Sequence, residues 1–253
     1  MRIIKSSMLI ASLVLLVPFT AAASSAGGHP EFWEPANNHI SNTRSLQRGA
    51  KYYVNYCLGC HSLKYVRWSS LPEPLNISEE QLIENLMFGV GKTNLMMTNA
   101  MREDMASDWF GIAPPDLSLV ARSRGTDWIY NYLRAFYLDK EQATGVNNIV
   151  FPKVSMPHVL APLQGYQEAH FHTEKDAQGN THTTFTGFTM AQQGKLSPEE
   201  YDQVVRDIVN FLEYVAEPVQ LQRRNIGIGV LAFLLVFFLL VFFLKREFWK
   251  DIH

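Results

Sequence analysis

Both cysteines of the chain stand in one short motif, Cys57-Leu58-Gly59-Cys60-His61. The spacing C-x-x-C-H is the attachment signal for c-type haem, because two thiols two residues apart can bond two vinyl groups at one porphyrin edge. His61 would then lie beneath the iron as its proximal ligand. A four-cysteine zinc site is excluded, and a thioredoxin-like pair is disfavoured because a helical stretch and not a βαβ unit precedes the motif. The motif therefore predicts one covalently bound haem c.

An iron that carries electrons needs a sixth ligand, and a methionine opposite a histidine raises the potential in cytochromes c. Met156 lies in the loop NNIVFPKVSMPHVLAP, where Pro residues stiffen the chain and a long side chain can reach a cofactor. His158 is the main competitor for this role. Met87 is expected in the core, and residues 96–105 form a polar, Met-rich stretch suited to filling gaps. The other candidate methionines after the leader are Met87, Met96, Met97, Met101, Met105 and Met190.

The motif must be positioned by the helix before it. Apolar residues recur at three- and four-residue steps over 43–56, which predicts a helix running into the motif. Gly49 lies inside that helix, where a glycine costs up to about 1 kcal/mol relative to alanine, so it indicates close packing. We expect an aromatic residue of the last helix before the C-terminal apolar run, Phe211 or Tyr214, to pack on it.

Four further elements are predicted between the motif and the C-terminal apolar run. Capping boxes begin one helix at Ser78, ending near Phe88, and the last helix at Ser197, which Pro218 closes. A further helix is predicted from Asp127 to Tyr137. A β-hairpin is predicted over 165–188, with three histidines expected as exposed polar strand residues and not as metal ligands: His170, His172 and His182.

The start of the sequence has the plan of a secretory signal peptide. Arg2 and Lys5 precede an uncharged run over 8–17, and small residues follow. We expect a signal peptide over 1–23, with cleavage as late as residue 26.

A second apolar run predicts a membrane anchor. Residues 226–244 carry no charge and are apolar on every helical face. As a helix they would span about 28 Å at about 1.5 Å per residue, close to the hydrocarbon thickness of a bilayer. With the leader exported, residues 24–222 form a periplasmic domain and residues 245–253 a cytoplasmic tail, on a single-pass protein of the inner (cytoplasmic) membrane.

Composition excludes several classes. The chain is 47% hydrophobic and 18% charged, which is not the composition of a disordered protein. Its net charge of −2 gives no sign of nucleic-acid binding. Residues 24–222 carry 15 Lys and Arg against 22 Asp and Glu, a net charge of −7, which favours a cationic partner by electrostatic steering.

Three segments resemble the cytochrome c1 family in its proteobacterial form, the haem subunits of cytochrome bc1 complexes. They are RGAKYYVNYCLGCHSLKYVRW at 48–68, FGIAPPDLSLVARSRG at 110–125 and GVNNIVFPKVSMPHVL at 145–160. The PPDLS…RSR segment is far more specific than C-x-x-C-H. The AEP sequence at 216–218 and the single C-terminal anchor also fit.

The resemblance implies a role for each candidate site residue. Thioether bonds would form at Cys57 and Cys60, and His61 and Met156 would be the metal ligands. The remaining residues would surround the haem: Pro114 and Pro115 as crevice lining, Arg124 and its neighbour Arg122 as partners of a propionate, and Trp128 as an adjacent aromatic.

The resemblance further implies a mainly α, class I c-type cytochrome domain with loop and β-hairpin insertions, plus the transmembrane helix. Its electron donor would be the Rieske iron–sulfur protein and its acceptor a soluble or membrane-bound cytochrome c. Cytochrome b and membrane lipid would contact the anchor in a dimeric complex. No residue is assigned acid–base or nucleophilic catalysis. Two alternatives stay open: a membrane-anchored donor to a terminal oxidase or dehydrogenase, and a haem-free metal-binding or thiol-redox module.

Overall fold

The computed structural model describes residues 32–89, 91–175 and 181–251, so the signal peptide expected over 1–23 lies outside the described residues. Within these ranges the chain is mainly helical. The helices are α1 (Thr43–Tyr56), α2 (Pro72–Leu75), α3 (Glu79–Asn85), α4 (Glu103–Phe110), α5 (Val120–Ser123), α6 (Thr126–Arg134), α7 (Ala161–Gln164), α8 (Pro198–Ala216) and α9 (Gln220–Phe248).

Six strands accompany these helices in the described residues. They are β1 (Leu63–Arg67), β2 (Met96–Met97), β3 (Phe136–Leu138), β4 (Val146–Asn148), β5 (Gly165–Lys175) and β6 (Thr181–Gln193). Consecutive strands pair antiparallel as three separate two-stranded sheets, β1 with β2, β3 with β4 and β5 with β6.

The core lies where α1 crosses α8. A Cβ built on Gly49 would stand 2.8 Å from the Cβ of Phe211, so the predicted contact between this glycine and an aromatic of the last helix is confirmed. The Phe211 ring also packs on Tyr53, with ring centroids 5.6 Å apart, and both side chains are fully buried. The crossing therefore fixes the helix that leads into the C-x-x-C-H motif.

Side-chain caps begin three of the helices, and the two at Ser78 and Ser197 are as predicted. The Asn42 side chain accepts a hydrogen bond from the Ser45 amide at the start of α1. Ser78 and Gln81 form a reciprocal capping box on α3, and Ser197 and Glu200 form another on α8. Each of these bonds satisfies amide groups that a helix N-terminus leaves without an intrahelical partner.

Two predicted helices are shorter than the sequence pattern suggested. The helix expected to reach Phe88 ends at Asn85, and the one expected to reach Tyr137 ends at Arg134. Helix α6 ends early because Phe136–Leu138 pair with Val146–Asn148 as β3 and β4. The pairing leaves Phe136 buried. Helix α4, between the Met-rich stretch and Pro114, was not predicted.

The predicted β-hairpin is present and extends to Gln193, and residues 176–180 lie outside the described residues. Its three histidines are exposed, as expected. The His170 ring contacts the Thr189 hydroxyl at 2.8 Å, and the His172 ring contacts Glu174 at 3.0 Å. In the ranges that the structure describes, no group of three or more His, Cys, Asp or Glu residues could hold a metal ion.

Helix α9 contains the predicted apolar run and is long and apolar enough to cross a membrane. It has 29 residues, and its most apolar window has a mean hydropathy of 3.1 with none of that window buried. Glu217 joins α8 to this helix, because its carboxylate forms ion pairs with Arg223 at 2.5 Å and with Arg122 of α5 at 3.5 Å.

Candidate functional site

The C-x-x-C-H motif forms a tight turn at the end of α1. The Cys57 carbonyl accepts hydrogen bonds from the amides of Cys60 at 3.0 Å and His61 at 2.8 Å. The Tyr53 hydroxyl, one turn back on α1, donates to the His61 carbonyl at 2.6 Å. No disulfide joins the two cysteines. The turn therefore presents two thiols and one imidazole from a single rigid helix end.

The His61 ring is oriented by the proline pair. Its Nδ1 lies 2.7 Å from the Pro115 carbonyl oxygen, and burial lowers the pKa of the imidazole. A neutral ring in this position donates from Nδ1, which leaves the Nε2 lone pair for a metal. Metal-binding histidines commonly use the second ring nitrogen in this way.

A largely apolar cleft joins the motif to the Met156 loop. Most of its lining side chains are apolar, as is usual for pockets that bury an organic ligand. The lining residues come from three parts of the chain: Tyr56, Cys60 and His61; Phe110, Ile112, Pro114 and Pro115; and Ser155, Met156, Pro157 and Val159. The cleft therefore places the imidazole of the motif and the thioether of Met156 in one cavity.

Two buried asparagines build the loop that carries Met156. The Asn148 carboxamide oxygen accepts from the amides of Val150 at 2.9 Å and Phe151 at 3.1 Å, and its NH₂ group donates to the Tyr132 carbonyl at 2.8 Å. The Asn147 oxygen accepts from the Lys153 amide at 2.8 Å. These side chains replace the regular backbone pairing that the loop lacks, so they fix its path.

The end of α6 approaches the loop through Tyr132. Its hydroxyl donates to the Met156 sulfur, with an O–S distance of 3.3 Å. Burial raises the pKa of this hydroxyl, so it stays protonated over the physiological range. The ring stacks on Trp128, with centroids 4.9 Å apart and an interplanar angle of 10°.

The predicted propionate partners take different positions. The Arg124 guanidinium lies over the Trp128 ring, 5.0 Å from its centroid. Arg122 instead points to the junction with α9, where it pairs with Glu217. Neither arginine nor Trp128 is among the residues that line the cleft.

A sequence model of the Cytochrome C1 family matches residues 33–252. This chain belongs to the cytochrome c1 family. Cytochrome c1 of Allochromatium vinosum is 50% identical over 246 residues, 97% of this chain and 99% of that protein. A Nitrosomonas europaea protein named ammonia monooxygenase gamma subunit is 42% identical over the full length of both chains. Cytochrome b/c1 of Bradyrhizobium diazoefficiens is 25% identical over 83% of this chain, which covers 33% of that longer protein.

Membership of the cytochrome c1 family implies an electron-transfer role and covalently bound haem c, and the site residues fit that group. Cys60 lines the cleft, and Cys57 is buried one turn behind it. Burial, reinforced by the neighbouring Cys60, raises the pKa of the Cys57 thiol to about 12. An imidazole nitrogen and a thioether facing one apolar cavity are the donor pair that cytochromes c use.

The competitor His158 lies outside the cleft lining. Its ring is buried, stacks on Phe136 with centroids 4.9 Å apart and meets the edge of Tyr166 at 6.2 Å. Burial lowers the pKa of this imidazole to about 4. Among the described residues its Nε2 has no hydrogen-bond partner. The ring therefore belongs to the small apolar cluster behind the Met156 loop.

Sequence reasoning missed several residues that shape this cytochrome c1 site. One is Tyr132, which follows Trp128 by four positions and must therefore share its helix face. The Asn147-Asn148 pair, in a loop already singled out for Met156, was a signal of side-chain bonds to the backbone. Nothing in the unpredicted α4 region indicated that Phe110 and Ile112 would close the cleft.

Proposed function

We propose that this chain is the electron-transfer subunit of a quinol–cytochrome c oxidoreductase (bc1) complex. It accepts an electron from the Rieske iron–sulfur protein and passes it to a cytochrome c. The observation that carries the proposal is the cleft in which His61, Met156 and Cys60 meet. The imidazole and thioether come from residues 95 positions apart in the sequence, so their convergence is a property of the fold.

Four side chains would hold one haem c in this cleft. Cys57 and Cys60 would form the thioether bonds, while His61 Nε2 and the Met156 sulfur would be the two axial ligands. The bound haem supplies one-electron redox chemistry at its iron. The chain supplies the ligands, an apolar wall and exclusion of water, which are the means by which a protein sets the potential of such a centre.

The surrounding residues would complete the crevice. Pro114 and Pro115 line it, and the Pro115 carbonyl also orients His61. Arg124, stacked on Trp128, is the better placed partner for a propionate. Arg122 would act there only by leaving Glu217. The crossing of α1 and α8 at Gly49 supports a class I c-type cytochrome domain, with the β5–β6 hairpin as an insertion.

We further propose a single-pass topology in the inner membrane. Residues 1–23 would direct export, residues 24–222 would lie in the periplasm, residues 226–244 would span the bilayer and residues 245–253 would reach the cytoplasm. The anchor would contact lipid and cytochrome b within a dimeric complex. The Bradyrhizobium relative, whose name joins cytochrome b to c1, supports that partnership.

The charge of the external domain suits the proposed acceptor. Residues 24–222 have a net charge of −7. An acidic surface accelerates encounter with a basic soluble protein, and the effect weakens as salt screens it. Transfer to a basic cytochrome c should therefore slow as the ionic strength rises.

A reduced-minus-oxidised spectrum of membranes, with an alkaline pyridine assay on the isolated chain, tests the haem. We expect one covalent haem c per chain, lost when Cys57→Ser and Cys60→Ser are combined. Each single variant retains one thiol and should keep one thioether, which makes the pair of single variants the matched control. A colourless chain with two titratable thiols would instead support a thiol or metal module.

Purification of the full chain from solubilised membranes tests the assembly. Cytochrome b and a Rieske protein should accompany it in stoichiometric amounts. A stable complex with a terminal oxidase or a dehydrogenase, without cytochrome b, would contradict the bc1 assignment.

A further inference from the structure

The Tyr132 hydroxyl donates to the Met156 sulfur at an O–S distance of 3.3 Å. A thioether sulfur is a weak acceptor with two lone pairs. One lone pair can therefore accept this hydrogen bond while the other faces the cleft. Through the sulfur, Tyr132 is placed to influence whatever metal Met156 binds.

Three contacts fix the direction of this hydroxyl. The Tyr132 ring stacks on Trp128 at 4.9 Å and meets the edge of Phe136 at 5.3 Å. Its backbone carbonyl accepts from Asn148 Nδ2 at 2.8 Å, and Asn148 also binds the loop amides of Val150 and Phe151. One residue thus holds the Met156 loop through its main chain and the sulfur through its side chain.

We propose that Tyr132 is a positioning residue that shifts the redox equilibrium of the haem through Met156. This rests on the proposed function, since it assumes that the Met156 sulfur is an axial ligand. A donor bond to the sulfur withdraws electron density from it. A weaker sulfur donor stabilises ferric iron less, so the hydroxyl favours the reduced state.

The test is Tyr132→Phe in the full-length chain in membranes, with an equilibrium redox titration as the readout. The ring and its stacking are kept, and only the hydroxyl is lost. We expect the ferrous-to-ferric ratio at a fixed ambient potential to fall by about three- to tenfold, which corresponds to the net free energy of one hydrogen bond. For a one-electron couple this lowers the midpoint potential by about 30–60 mV. Tyr137→Phe, on β3 and outside the cleft lining, is the matched control and should leave the potential unchanged.

A double-variant cycle measures the effect of Tyr132→Phe both in the original chain and in a Met156→Leu chain. This comparison keeps the proposal testable even if Tyr132→Phe perturbs the fold slightly. If the hydroxyl acts through the sulfur, Tyr132→Phe should cause no shift when Leu replaces Met156. An equal shift in both backgrounds, or no shift in the single variant, would overturn the inference. In either case a chain with one covalent haem and a sulfur-to-ferric charge-transfer band would leave the proposed function standing. A chain without haem would contradict the function itself.

Discussion

The backbone of Gly49 on α1 lies directly against the Asp207 carbonyl on α8: a Cβ at Gly49 would be 2.0 Å from that oxygen. The two residues meet on the buried face of α1, next to a cluster of hydrogen bonds between side chains. There the buried Asp207 carboxylate accepts from the Ser45 hydroxyl at 2.7 Å and from Arg48 Nε at 2.6 Å. Neither helix can move away without breaking these bonds.

We therefore expect Gly49→Ala to destabilise the domain. The added methyl group meets backbone and not a flexible side chain, and overpacking of this kind costs about 1–3 kcal/mol or more. Thermal unfolding of the detergent-solubilised chain measures the loss. Gly91→Ala is the matched control, because a Cβ there has no neighbour within 4 Å. Equal melting temperatures for the two variants would show that the crossing relaxes more easily than its geometry suggests.

Asn148→Ala should damage the Met156 loop. The substitution removes the acceptor of the Val150 and Phe151 amides and the donor to the Tyr132 carbonyl. Each buried group left without a partner costs about 1–3 kcal/mol. Denaturant unfolding should show the loss of stability, and the fraction of chains with a sulfur–ferric band should fall. Asn55→Ala, at an exposed helix position, should change neither quantity. An intact band in Asn148→Ala would mean that other contacts hold the loop.

Met156→Leu and His158→Gln distinguish the two candidates for the distal ligand. Met156 lines the cleft, whereas His158 is buried against Phe136. We expect Met156→Leu to keep covalent haem but lose the sulfur–ferric charge-transfer band and lower the midpoint potential. His158→Gln should retain that band and cost mainly stability. The reverse pattern in near-infrared spectra would assign the ligand to His158.

Arg124→Gln and Arg122→Gln should differ in their effect on the midpoint potential. Arg124 stacks on Trp128, which itself stacks on Tyr132, while Arg122 is held by Glu217 near the start of α9. Loss of a cation close to the iron favours the ferric state. We therefore expect a lower potential for Arg124→Gln and an unchanged one for Arg122→Gln in redox titrations. A larger shift from Arg122→Gln would show that it leaves Glu217 for a propionate.

The sequence could predict those parts of the fold that depend on interactions between residues close to each other in the chain. Capping residues such as Ser197 and the apolar steps of α1 act within a turn or two, so both ends of α1 and the start of α8 were predicted correctly. The end of α6 was not, because Phe136 follows the helical pattern but pairs with Asn148, twelve positions later. The spacing of apolar residues within a helix contains no information about pairing with a distant strand.

The candidate site divides in the same way. The C-x-x-C-H motif indicates haem attachment from five consecutive residues. The Met156 loop can be recognised from its prolines and from its resemblance to the family. The positions of the two arginines depend on Glu217, which follows α8, and on Trp128 of α6. The bond from Tyr132 to Met156 also spans two elements, so only three-dimensional structure could reveal it.

The bond from Tyr53 to the His61 carbonyl joins residues eight positions apart, and the backbone hydrogen bonds within the thiol-bearing turn are more local still. The opposite wall of the cleft, in contrast, is supplied about a hundred residues later. Closing a long loop costs more chain entropy than closing a short one. If Cys57 and Cys60 hold the haem as proposed, the turn that bears them would form mainly from contacts that are close in sequence. The proposed bond to Met156 would form only after the distant segment that carries Met156 has folded against that turn.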